Sequence, residues 1–136
     1  MDFGNIKNPE RARQLNIFKG LSSDGVDATD IDGLIEYRNR AYIVYEVKGV
    51  GAEVPVGQRL ALERFVTDAA KSGKVAIVMV VEHTVTDITK PVIVKDCRVR
   101  DIYYGRERRW RKPKKPMTAG QLTDTFLRGI ESGLIK

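Results

Sequence analysis

The sequence predicts an α/β fold in which helices flank a mixed β-sheet. Residues 75–81 form an almost uninterrupted apolar run, which is typical of a strand that is buried on both faces. Residues 41–48 are rich in β-branched and aromatic side chains, as strands are. Between them, residues 58–71 carry apolar side chains at helical spacing. Since one helix and one strand are also expected before them, the predicted order along the chain is α-β-β-α-β.

The first two elements of this order are predicted from their boundaries. Residues 9–20 are expected to form a helix, because Asn8 can cap its amino end and Pro9 suits the first helical position. Residues 30–37 are expected to form a strand. The linker to the next strand, residues 38–40, is short enough for a β-hairpin.

Two more strands and a last helix are predicted in the final third of the chain. Residues 91–94 and 97–104 are expected to be strands. Residues 106–116 are basic and contain two prolines, which predicts a loop or arm. Thr118 and Gln121 have the spacing of a capping box, so a helix is expected to begin there.

Length and composition restrict the class of protein. A chain of 136 residues suits one domain, so residues 1–136 are predicted to be a single unit. No apolar run approaches the roughly 20 residues of a membrane helix, and the start lacks a signal-peptide pattern, so a cytoplasmic protein without membrane contact is expected. The one cysteine, Cys97, and the one histidine, His83, cannot build a zinc cluster. Any metal is therefore expected to be Mg²⁺ or Mn²⁺ held by oxygen ligands.

The positive charge is concentrated in one basic segment, residues 98–115. The chain has a net charge of +6, and this segment alone holds nine basic and two acidic residues, so the rest of the chain is close to neutral. Such a distribution is typical of a nucleic-acid-binding protein, although a solvated charged face is the alternative. An exposed tryptophan in the segment could stack on an unpaired base, whereas a half-buried tryptophan beside a core tyrosine pair is the simpler interpretation. The candidate DNA contacts are Arg106, Arg108, Arg109, Trp110, Arg111, Lys112, Lys114 and Lys115.

Charged residues stand in two strands where apolar ones are expected. Glu46 and Lys48 are two apart, so their side chains leave the same face of the strand. A three-residue hairpin loop centred on Asn39 would place Asp32 opposite Glu46 and Asp30 opposite Lys48. A two-residue turn would put the aspartates on the other face. The clustered arrangement therefore requires the three-residue loop or a bulge, and the alternative is that these are exposed polar residues of a one-sided sheet that form cross-strand ion pairs.

The clustered arrangement would suit hydrolysis of a phosphodiester bond. Two carboxylates, from Asp32 and Glu46, can hold a hard divalent cation, which lowers the pKa of a bound water. The backbone carbonyl of Val47 lies between the two side chains of the second strand and could add a ligand. The ammonium group of Lys48 could orient the attacking water or stabilise the charge of the transition state.

These residues resemble the signature of the PD-(D/E)XK nucleases. Asp32-Gly33-Leu34-Ile35, a turn, and then Val44-Tyr45-Glu46-Val47-Lys48 are similar to its acid on one strand and E-x-K on the next. The first stretch is similar to that of Mrr-type restriction endonucleases. Gln58 is similar to a glutamine that VRR-NUC-type and RecB-like nucleases often carry on the following helix. It lies on the apolar side of its helix, where a polar group needs a partner. The resemblance implies a restriction-endonuclease-like fold and a magnesium-dependent nuclease acting on DNA.

The resemblance also has departures and open choices. The proline that precedes the family's aspartate is missing, and Asp30 competes with Asp32 for the metal, although the apolar residues after Asp32 favour the latter. Glu10 is an additional candidate acid, as in Holliday-junction resolvases, or simply a favourable charge at a helix amino end. Glu82 and His83 could approach the edge of the site or only end a strand. The resemblance also leads us to expect a homodimer and a phage source, since many compact members of the family have them. The alternative function is a catalytically inactive nucleic-acid-binding module.

Overall fold

The protein is described by a computed structural model that covers residue 15 and residues 18–21, 23–26 and 28–136. The predicted helix at residues 9–20 falls almost entirely outside these residues, and so does Glu10. The described elements are β1 (Gly33–Tyr37), β2 (Ala41–Gly49), α1 (Val56–Lys71), β3 (Val75–His83), a short 3-10 helix (Val94–Asp96), β4 (Arg98–Tyr104), β5 (Arg109–Arg111) and α2 (Ala119–Glu131). Neither described helix is both long enough and apolar enough to span a bilayer.

The five strands form one mixed sheet in the order β1-β2-β3-β4-β5. β2 and β3 are parallel, and the other neighbouring pairs are antiparallel. The α/β class with a mixed sheet is therefore confirmed. Lys48, Glu82 and Arg98 are register partners at the end of the sheet where β2 and β3 finish and β4 begins. We call this the carboxyl end of the sheet.

Alternating side chains of the strands build two separate cores, one under each helix. On one face, Ile43 and Met79 pack in a cluster with Phe126 of α2. On the other face, Val44 and Val78 pack in a cluster that includes Leu62 and Val66 of α1. We call this second side the α1 face. Because side chains two apart share a face, the positions after Val44 with the same parity, 46 and 48, also belong to the α1 face.

Of the two alternatives for the hairpin between β1 and β2, the structure has the three-residue loop. Tyr37 pairs with Ala41 and Leu34 with Val44, so the loop is centred on Asn39. Arg38 and Asn39 both have positive φ angles, 47° and 60°. The backbone N–H of Asn39 donates a 2.7 Å hydrogen bond to Glu36 Oε2, which stabilises this conformation. The register that the site requires is therefore confirmed.

Two predictions for the final third of the chain are wrong. Residues 91–94 form no strand, and only the 3-10 helix begins at their end. Residues 106–116 are not a loop throughout, because three of them form the short edge strand β5. The capping box is confirmed, since Thr118 accepts from the backbone of Gln121 and the Gln121 side chain accepts from the backbone of Thr118.

Candidate active site

Asp32 is held against β2 by its side chain rather than by strand pairing. β1 begins at Gly33, three residues later than predicted, so Asp32 lies just outside the ladder. Its Oδ2 accepts a 2.7 Å hydrogen bond from the backbone N–H of Val47. The carboxylate thus takes the place of a backbone acceptor on the partner strand. This contact fixes Asp32 beside β2 at the position between Glu46 and Lys48.

Glu46 is the one buried charged side chain among the described residues, with only 1% of its surface exposed. Its Oε1 pairs with Lys48 Nζ at 3.2 Å. Its Oε2 is buried and has no hydrogen-bond partner among the residues that the structure describes. Unpaired buried carboxylate oxygens are costly and therefore uncommon. This atom consequently needs an explanation that packing alone does not give.

The surroundings of Glu46 favour its neutral form. Burial is the main factor that raises the pKa of Glu46, and the negative charge of Asp32 raises it further. The hydrogen bond and the charge of Lys48, and then the amide of Gln58, act in the opposite direction. The pKa is raised on balance, so the protein keeps two carboxylates close together against their mutual repulsion. A cation bound between them would relieve both penalties.

Gln58 lies in the first turn of α1 and is partly buried beside Glu46. Its Nε2 makes a 3.4 Å hydrogen bond to the backbone carbonyl of Asp30, and Oε2 of Glu46 remains without a partner. Asp30 is exposed and lies before β1, so the strand position predicted for it is wrong. The Asp32 carboxylate, by contrast, is hydrogen-bonded to the backbone of β2, and its charge raises the pKa of Glu46. The geometry therefore favours Asp32 as the first acid.

The donor atoms at this position suit a hard divalent cation. The N–H and C=O of one strand residue point to the same edge of the strand, so the carbonyl of Val47 faces the side where its N–H meets Asp32. Two carboxylates and one carbonyl oxygen would leave several positions for water, as Mg²⁺ prefers. The described part of the chain contains no group of three or more His, Cys, Asp or Glu side chains that could hold a metal. Water would have to complete the shell.

The burial of Glu46 predicts a pH-dependent stability. The pKa of Glu46 is higher in the folded protein than in the unfolded chain. Between these two pKa values the folded protein therefore binds more protons than the unfolded chain. The free energy of unfolding consequently falls as the pH rises through this range. Glu46→Gln mimics the neutral acid. In EDTA it should therefore stabilise the protein at pH 7, by on the order of 1 kcal/mol, and change little near pH 4.

Urea denaturation of wild type and variant at both pH values would measure this difference. Glu36→Gln is a matched control, because Glu36 is exposed on β1 and bonds only the hairpin loop. An equal effect of Glu46→Gln at the two pH values would show that the charge of Glu46 is not penalised in the fold.

Glu82 pairs with an arginine of β4. It is the register neighbour of Lys48, but its Oε2 bonds Arg100 Nε at 3.0 Å. A β-bulge opposite Val80 and Val81 brings Arg100 to this position. Arg100 also donates to the carbonyl oxygens of Ala52 and Gly49, at 2.5 and 3.3 Å. It thereby ties down the loop between the Glu46 strand and the Gln58 helix, a role that strand alternation gave no means to predict.

The tryptophan of the basic segment is not a free stacking platform. Trp110 is half-buried, its ring lies 5.2 Å from that of Tyr103, and its Nε1 donates to Glu63 Oε2 at 3.2 Å. The interpretation of an exposed tryptophan is wrong, and the half-buried alternative is confirmed. Lys112 lies at the level of Asp101, with which it forms a 2.9 Å ion pair.

The structure brings together Asp32 from the segment before β1, Glu46 and Lys48 from β2, and Gln58 from α1, whereas Asp30 is exposed and lies before β1. The signals that pointed to this cluster were two acids in apolar strands and a glutamine on the apolar side of a helix. Comparison of the chain with protein-family models, curated proteins and solved structures finds no significant match.

Proposed function

We propose that this chain is a metal-dependent DNA nuclease of the PD-(D/E)XK type, with a restriction-endonuclease-like fold. The observation that carries the proposal is the unpaired Oε2 of Glu46, buried beside Asp32 and Lys48. A structural ion pair between Glu46 and Lys48 does not require Asp32, whose negative charge makes ionised Glu46 less favourable. A cation-binding site requires both.

The proposed roles follow from the contacts of each residue. Asp32, Glu46 and the carbonyl of Val47 would hold Mg²⁺ or Mn²⁺, which supplies an activated water and charge neutralisation when bound. The Nζ atom of Lys48 lies 3.2 Å from Glu46 Oε1, and 22% of the Lys48 side chain is exposed, so its ammonium group can reach a phosphate or a water in the site. Gln58 lies beside Glu46, and its amide favours the charged form of the carboxylate, which is the form that a cation needs.

The reaction supported by this arrangement is hydrolysis of a phosphodiester. The oxygen of water bonds to phosphorus and gives up a proton, the opposite P–O ester bond breaks, and the leaving oxygen takes up a proton. Lys48 would stabilise the negative charge that builds up on the phosphoryl oxygens during this exchange. A double-strand cut needs one site for each strand, so a homodimer is part of the proposal. An intracellular location, where the DNA substrate is found, is also part of it.

The proposal is tested by incubating the purified protein with DNA and Mg²⁺ or Mn²⁺. Cleavage should depend on the metal, stop with EDTA, and return when excess metal is added. Duplex, flapped, branched and single-stranded substrates should all be assayed. Failure to cleave any of them in either metal would reject the nuclease and leave the second candidate.

The second candidate is a nucleic-acid-binding module without catalysis, and the basic segment favours it. Arg98, Arg100, Lys112, Lys114 and Lys115 line a groove of about 340 Å³ at the carboxyl end of the sheet. By contrast, the turn that contains Arg106 and Arg108 lies at the opposite end, because β4 runs antiparallel to β3. The basic residues therefore form two separate groups, of which only the first lies near Lys48.

This division predicts unequal effects on DNA binding. The double variant Lys114→Ala/Lys115→Ala should weaken binding severalfold and reduce the slope of log K against log salt by roughly 0.9 for each lost phosphate contact. The matched double variant Arg106→Ala/Arg108→Ala should bind like the wild type. Fluorescence anisotropy over a salt series measures both. Equal losses in the two variants would contradict a DNA path along the carboxyl end.

A further inference from the structure

A second concavity on the α1 face opens next to the Glu46 cluster. It is an open groove of about 520 Å³, within the range of roughly 300–1,000 Å³ that small-molecule sites occupy. Val54 and Trp110 supply apolar surface, the almost fully buried Val80 also lines the groove, and Glu53, Arg59 and Asp101 supply polar groups. Neither the catalytic cluster nor the basic groove uses these apolar side chains.

The groove continues directly from the proposed active site. Glu46 is the register partner of Val80, and Val80 is the register partner of Asp101, so the three lie in one row across β2, β3 and β4. On the helix side, Arg59 follows Gln58 in the first turn of α1. A ligand whose phosphate lay at Glu46 would therefore place its adjoining group over Val80.

The lining is suited to a nucleobase. Apolar surface and an aromatic edge can accept the faces of an aromatic ring, and carboxylate and guanidinium groups can pair with its polar edge. The Asp101 side chain is 30% exposed in its ion pair with Lys112, and that of Arg59 is 47% exposed, so both remain accessible from the groove. A base that is stacked in a duplex cannot enter such a groove, whereas an unpaired base can.

We propose that this groove receives the base of an unpaired nucleotide next to the scissile phosphate. The substrate class is then DNA with a single-stranded or unpaired position at the cleavage site. This inference rests on the proposed nuclease function. The inference adds which class of DNA the site selects and which side chains make this selection.

The first test uses binding, so that it does not depend on cleavage. An oligonucleotide with 2-aminopurine at an unpaired position is titrated with the protein in EDTA, and its fluorescence is compared with that of a fully paired duplex carrying the same base. Contact with the groove should change the fluorescence of the unpaired probe alone. An unchanged signal at saturating protein would overturn the groove proposal.

The second test uses two matched tryptophan substitutions. Val54→Trp would fill the groove, whereas Val56→Trp places the same side chain at an exposed position just outside it. In the wild type and in Val56→Trp, cleavage should be at least about tenfold faster with an unpaired nucleotide than with a fully paired duplex. Val54→Trp should reduce this ratio to near one, and its circular dichroism should show an intact fold.

The outcomes separate the two proposals. Cleavage at equal rates on paired and unpaired substrates would overturn the groove and leave the nuclease standing. The groove proposal would also be overturned, and the nuclease would stand, if Val54→Trp kept the wild-type ratio of cleavage rates on unpaired and paired substrates. No cleavage of any DNA, together with a fluorescence change that Val54→Trp abolishes, would reject the nuclease and keep the base-binding groove.

Discussion

Lys48→Ala and Glu46→Gln are each expected to reduce metal-dependent cleavage by about 10²–10³-fold or more, with the fold intact. Lys48 is the cation that accompanies the buried carboxylate, and no other ammonium or guanidinium group among the described residues pairs with Glu46. Glu46→Gln preserves the shape of the side chain and removes the charge that a cation needs. The loss should therefore appear in the chemical step.

Single-turnover cleavage at saturating enzyme measures this effect without a contribution from binding. Lys71→Ala is a suitable control, because the Lys71 side chain is 60% exposed near the end of α1 and pairs only with Asp68. It should cleave at the wild-type rate. Undiminished cleavage by both Lys48→Ala and Glu46→Gln would show that the reaction, if present, takes place elsewhere.

Gly105→Ala is expected to have the largest effect on stability. A Cβ atom at Gly105 would lie 2.4 Å from the backbone oxygen of Val66 and 3.1 Å from that of Ala76. Neither oxygen belongs to a side chain that could turn away, so α1 would have to move off the sheet. The cost should be at the upper end of the roughly 1–3 kcal/mol typical of an overfilled core.

The control for this substitution is Gly57→Ala in the first turn of α1. A Cβ atom there has open space around it, so the same chemical change should be neutral or stabilise the helix by about 0.5–1 kcal/mol. Thermal or urea denaturation of the two variants gives the comparison. If Gly105→Ala were as stable as the wild type, α1 could not be packed as closely against the sheet as described.

Much of the site could be predicted because it depends on local rules. The three-residue loop follows from residues that tolerate positive φ, and that loop fixes which side chains share a face. Because Glu46 and Lys48 are two residues apart in one strand, their side chains lie on the same face of the sheet. By contrast, the position of Asp32 just before β1 depends on its hydrogen bond to the backbone of Val47, which no periodicity in the sequence encodes.

The parts that could not be predicted depend on contacts between distant segments. The bulge that brings Arg100 to Glu82 shifts the alternation of β4. The burial of Trp110 depends on Tyr103 and on Glu63 of α1. The strand β5 has only three residues, and it pairs because β4 offers an edge. In the last two cases the basic sequence predicts a loop or arm, whereas packing decides its structure.

The most direct test of the central claim is a crystal structure of the protein with Mn²⁺, with anomalous diffraction used to locate the metal. The account predicts one anomalous peak on the α1 face, at coordination distance of about 2.0–2.3 Å from a carboxylate oxygen of Asp32 and from Oε2 of Glu46. A Mn²⁺-saturated crystal with no peak between these two carboxylates, while Oε2 of Glu46 stays buried and unpaired, would contradict the account.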